Sequence, residues 1–145
     1  GMQRVKCREP SVNIMREETK VFLEMVARNR SERLREASPE LQTHLTMDDS
    51  GLRCALQVLK DGELVRLEFI ESATTAGKQA QFGDYVEVAM NVGSLAIMFP
   101  EAKFSRDMAS SIYQSVLKEA RQRTDREILF LGFVYDDRGN IKKVE

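Results

Sequence analysis

LRCALQVLKDGELVRLEFIE, residues 52–71, specifies two strands and the turn that joins them. Asp61-Gly62 suits a two-residue hairpin turn, because both positions tolerate positive φ. About that turn Val58 faces Val65, Leu56 faces Leu67 and Cys54 faces Phe69, so all six side chains point to one side of the sheet. The other side carries Leu59/Leu64, Gln57/Arg66, Ala55/Glu68 and Arg53/Ile70. A slip of one residue would turn the apolar set outward, so pattern and turn agree on the register.

Working outward, residues 43–47 alternate His44 and Thr46 with Leu45 and Met47, and Asp48-Asp49-Ser50-Gly51 turns the chain. This strand feeds a three-strand meander. From Asn13 the chain reads as a helix with Asn13 as cap, Glu17 and Glu18 in the early turns, and a stripe of Phe22, Leu23, Val26 and Leu34. Ser38-Pro39 ends it. Residues 1–12, which include Pro10, read as a flexible arm before a single domain over 13–145.

Downstream, residues 72–84 read as a loop. Two readings compete for 85–99. Asp84 and Glu87 have capping-box spacing for a helix closed by Pro100. A hairpin turning at Gly93-Ser94 gathers Val88, Met90, Val92, Leu95, Ile97 and Phe99 on one face and accounts for more residues, so it is preferred. Ser105 caps a helix running to about Arg123, marked by Met108, Ile112, Val116 or Leu117, and Ala120. Ile128–Tyr135 is apolar on both faces, as suits a strand inside the sheet, and a short edge strand ends in Lys142-Lys143. The expected architecture is α+β: an antiparallel β-sheet meander with an N-terminal helix and a second long helix packed mainly on one face.

Composition narrows the chemistry. The chain has 145 residues, 42% hydrophobic and 31% charged, with net charge −1, which argues against a general nucleic-acid binder. Its longest uninterrupted apolar run, Leu95–Phe99, is too short to span a bilayer, so no membrane association is expected. Two isolated cysteines, Cys7 and Cys54, fit a reducing compartment, and the expected setting is cytoplasmic. Gly77-Lys78 lacks both the upstream glycine and the following Ser or Thr of a phosphate loop. No cofactor motif is present, and no cofactor is expected.

His44 is the single histidine, and no nucleophile accompanies it. Asp48, Asp49, Asp136 and Asp137 lie in two Asp-Asp-X-Gly turns whose composition answers to turn geometry more readily than to a metal site. The unexplained feature is the second face of the hairpin, where Leu59, Leu64 and Ile70, joined by Met98, form an apolar set. Either a helix covers that face or a partner binds there.

The helix and the meander Leu45–Leu56 followed by Leu64–Phe69 are similar to the first half of small type III secretion chaperones, over residues 14–71. That resemblance implies a small α/β dimer that binds an extended client segment across apolar patches. The expected function is a non-catalytic binding domain, a homodimer or a holder of a client protein, using Leu59, Leu64, Ile70 and Met98. The alternatives are a small-ligand sensor or carrier with the 72–84 loop as lid, through Thr75, Lys78 and Gln79, and an enzyme using His44 and the turn aspartates.

Overall fold

The computed structural model describes residues 2–145, with side chains from Ile14 onward. The order is α1 (Met2–Ala37), β1 (Leu41–Met47), β2 (Arg53–Lys60), β3 (Glu63–Glu71), α2 (Gln79–Asn91), β4 (Ser94–Pro100), α3 (Arg106–Arg123), β5 (Leu129–Tyr135) and β6 (Ile141–Lys143). The six strands form one sheet in sequence order. The fold is α+β. Strands β1–β3 are the antiparallel meander that the hairpin pattern announces, and β6 returns antiparallel to β5.

Between these the sheet is mixed. β3 pairs parallel with β4, and β4 parallel with β5. Parallel neighbours need a crossover, which α2 and α3 supply. Both helices pack on one face, against Phe69, Leu95, Ile97, Phe99 and Val134. The N-terminal helix takes the opposite face, where Leu23, Val26 and Ala27 meet Ile70, Ala96, Met98 and Phe133. The sheet is therefore sandwiched, with two helices on one side and α1 on the other. β4, buried at every position, is its centre. Each fully buried Leu, Val or Ile contributes roughly 1.5–3 kcal/mol, so the stripe of α1 anchors a whole layer.

Several expectations need correction. Within the 85–99 stretch residues 85–91 are helical, as part of α2, and 94–99 extend as a strand, as part of β4, so the second hairpin does not form. Gly93, at φ 82°, ends α2 in a left-handed conformation and turns directly into β4. Tyr85, Val86 and Ala89 face the core while Phe82, Val88 and Met90 are half-buried, because α2 touches both the sheet and α3. The 72–84 loop shrinks to 72–78 for the same reason. Finally, α1 begins at Met2, not Asn13, and contains Pro10. How the side chains of residues 1–13 behave, and so the arm and Cys7, lies outside the described residues.

The hairpin register also differs from expectation. Asp61 and Gly62 adopt the positive φ values expected of the turn, 52° and 79°, and Leu59 faces Leu64. Between Val58 and Leu59, however, a β-bulge shifts the pairing by one. Beyond it Val58 faces Arg66, Leu56 faces Glu68 and Cys54 faces Ile70. The slip costs little because both faces are covered. Cys54, Leu56 and Val58 pack beneath α1, and Phe69 packs beneath α2.

Candidate functional site: a cavity under the first helix

The carboxyl ends of β3, β4 and β5 all point the same way, and α1 passes over them. Between them lies a cavity of about 460 Å³. Its roof is Met15, Glu18, Thr19, Phe22 and Leu23. Ser72 and Ala73 after β3, Pro100 and Ala102 after β4, and Tyr135, Asp136 and Asp137 at the end of β5 form its floor and walls. The crevice opens at these carboxyl ends because the connections after β3 and β4 depart toward α2 and α3 on the opposite face. The volume falls within the range of small-molecule sites.

Local chemistry holds the walls in place. Tyr135 lies with its ring centroid 5.8 Å from that of Phe22, and its hydroxyl donates to the Glu71 carbonyl at 2.6 Å. Asp136 accepts from the backbone N–H groups of Arg138 and Asn140, both at 2.9 Å, and from the Asn140 side chain at 3.0 Å. These bonds, the backbone one from Asn140 foremost, hold its carboxyl below the usual carboxylate range. Asp48 makes the matching bond to the Ser50 N–H, and Gly51 and Gly139 both have positive φ, so the two Asp-Asp-X-Gly turns share one geometry.

Behind the loop wall sits a buried ionic hub. Glu71 is fully buried and receives Arg53 through two bonds of 2.9 and 2.7 Å, together with the Thr75 hydroxyl at 2.9 Å and the Tyr85 hydroxyl. Burial alone would lower the Arg53 pKa, but Glu71 and Asp84 hold it above its ordinary value. Burial, reinforced by Glu71, raises the Tyr85 phenol. Every lone pair of Glu71 has an occupant, which suits a strut joining β2, β3, the loop and α2 better than a reacting group.

Of the expected partner-binding residues, the structure keeps only half at the surface. Ile70 and Met98 are fully buried beneath α1, the helix that covers this face. Leu64 is 39% exposed and sits opposite half-buried Leu59 near the hairpin tip. The expected loop residues also separate. Thr75 is buried on Glu71, while Lys78 and Gln79 are exposed at the start of α2. Thr75 and Ala76 N–H donate to Ser72 O, and Lys103 donates to Ala73 O, so the segment forms part of the cavity wall in this conformation.

His44 is exposed in mid-strand, four residues from Asp48, which is about 13 Å of extended chain. Among the described residues no three His, Cys, Asp or Glu side chains group closely enough to hold a metal ion, and no helix is long and apolar enough to cross a membrane. Cys54 is buried, and burial with the nearby Glu71 charge pushes its thiol up to about 12, which suits a core residue. The cavity is not legible in the sequence because four separate segments supply it, and the local patterns among them, the Phe22/Leu23 stripe and the Asp136-Asp137 turn, do not point to one another. No family model matches this chain, and neither a curated protein nor a solved structure matches it.

Proposed function

We propose that the protein is a non-catalytic binding domain that holds a small, largely apolar molecule in the cavity beneath α1. The observation that carries this reading is the cavity itself: an apolar space at the carboxyl ends of three adjacent parallel strands, with Ser72 and Thr19 among its few polar groups. Glu18, Asp136 and Asp137 at its rim disfavour an anionic ligand and accept a neutral or cationic one. A cytoplasmic setting belongs to the same reading.

The test is binding of an environment-sensitive apolar fluorophore to the full chain. Ala73 and Ala102 are exposed at the cavity wall, so Ala73→Trp and Ala102→Trp fill the space without straining the core. Both are expected to abolish probe binding while the far-UV circular dichroism stays unchanged. Undiminished binding by both would end the reading.

A second reading, a holder of a client polypeptide, draws on the outer side of α1. Ile14 and Val21 are each 59% exposed there and line a shallow groove with Glu17, Phe22 and Met25. It takes the place of the sheet face that α1 covers. Val21→Ser separates the two: it leaves cavity binding intact and weakens only binding along the outer groove.

A further inference from the structure

β1 is an edge of the sheet, paired through Leu41–Met47 with β2, and among the described residues no strand lies beyond it. Folded proteins blunt exposed edges with charge, proline, bulges or short length. The opposite edge follows that rule, since β6 has three residues and ends in Lys142 and Lys143. β1 does not. Its seven residues, LQTHLTM, carry no Lys, Arg, Asp, Glu or Pro, and they pair with β2 in unbroken register.

The ladder fixes which backbone groups this edge offers. Asp48 N–H donates to Arg53 O at 3.2 Å, one step beyond the Met47–Cys54 pair. Hydrogen-bonded and non-hydrogen-bonded pairs alternate along an antiparallel ladder. Thr46, His44 and Gln42 therefore bond inward to β2, and Thr43, Leu45 and Met47 turn their N–H and C=O groups outward. Leu41 N–H is already taken by Ser38 O at 3.0 Å.

We propose that β1 pairs antiparallel with β1 of a second copy of this chain, about a two-fold axis through His44. In that register Leu41 faces Met47, Gln42 faces Thr46, Thr43 faces Leu45 and His44 faces its own counterpart. It is the register that overlaps all seven residues, and it sets outward-turned groups opposite one another. A shift of one residue mismatches the hydrogen-bonding groups, and a shift of two shortens the overlap. The faces match as well. Half-buried Leu41, Leu45 and Met47 continue the layer beneath α1, and exposed Gln42, His44 and Thr46 form a polar row. Such a contact is isologous and closes on itself about the two-fold axis, the commonest arrangement among soluble oligomers, which argues for a second copy as the occupant.

The test is sedimentation of the full chain across a wide concentration range. The wild type is expected to pass from monomer to dimer. His44→Glu sets two carboxylates across the axis, at a pair whose Cβ atoms lie about 5 Å apart, and is expected to give a monomer. A chain carrying Gln42→Glu with Thr46→Glu, and another carrying Gln42→Lys with Thr46→Lys, are each expected to be monomeric. An equimolar mixture of the two restores the dimer. All three positions are exposed, so circular dichroism is expected to report an unchanged fold. A wild-type chain that stays monomeric throughout would overturn the proposal, as would a dimer indifferent to these changes. Acidic and basic chains that fail to pair would overturn the register.

Discussion

Arg30 and Glu68 meet in a buried two-pronged ion pair, Nε to Oε1 at 2.7 Å and Nη2 to Oε2 at 3.0 Å. Arg66 adds a third bond to Oε2 at 2.7 Å, and the Arg30 guanidinium lies 4.4 Å from the centre of the Phe133 ring. The β-bulge at Val58/Leu59 creates this arrangement. It rotates Glu68 from the face where the turn alone would place it to the face beneath α1, where Arg30 descends. Without the bulge Arg30 would be buried with no counter-charge. Bulge and arginine are two halves of one feature.

Glu68→Gln removes the charge that compensates two guanidinium groups, one of them buried. Breaking such a pair costs about 3–5 kcal/mol, because the remaining charge stays desolvated. Replacing the pair together, as Arg30→Met with Glu68→Leu, is expected to recover most of that loss. Urea unfolding of the three proteins measures both effects, and a double variant no better than Glu68→Gln would contradict the desolvation argument.

The bulge leaves Ile70 and Met98 on the face beneath α1 and Leu59 and Leu64 on the other face near the hairpin tip. Ile70→Ala and Met98→Ala each empty space beneath α1 and are expected to cost about 2–5 kcal/mol. Leu64→Ala, at a position 39% exposed, is expected to cost less than about 1 kcal/mol. Thermal denaturation ranks them. Equal losses at Leu64 and Ile70 would contradict the covering role of α1.

Gly132 lies on β5 under the ring of Tyr113, where an added Cβ would fall 2.5 Å from a ring carbon. That ring is fully buried and its hydroxyl donates to Phe133 O at 2.7 Å, so it has little room to retreat. Gly132→Ala is expected to destabilise by about 1–3 kcal/mol through overpacking. Gly83, with open space around it, is the control: Gly83→Ala is expected to hold or raise stability, since it lies within a helix.

Alkaline pH acts through groups buried in their neutral forms. Burial holds the Cys54 thiol at about 12 against 9.0 ordinarily, and it raises the phenols of Tyr85, Tyr113 and Tyr135 above 10. Below about pH 9 these groups are protonated in both folded and unfolded chains and leave stability unchanged. Above it the unfolded chain releases protons that the folded chain retains, so stability falls as pH rises. Denaturant midpoints taken from pH 8 to 11 are expected to decline, with tyrosinate absorbance appearing only as the chain unfolds. Phenol ionisation ahead of unfolding would contradict the burial.

The legible parts of the fold are those written locally. The Asp61-Gly62 turn, the Leu23/Val26/Leu34 stripe and the Ser105 cap, whose hydroxyl accepts from Met108 N–H, each carry their signal within a few residues. The register past the bulge was hidden because a strand covered on both faces tolerates a slip that a half-exposed strand would not. α2 was hidden because its apolar residues answer to two neighbours and so blur a single stripe. The cavity lies at the junction of α1 with three strand ends, a relationship that parallel crossovers create and the local pattern does not state.

The most direct test of ligand binding is native mass spectrometry of the full chain, purified gently from cells. The account predicts a discrete added mass that Ala73→Trp and Ala102→Trp both remove while the chain stays folded. A wild-type protein that carries no added mass, and takes up no apolar probe afterwards, would contradict it.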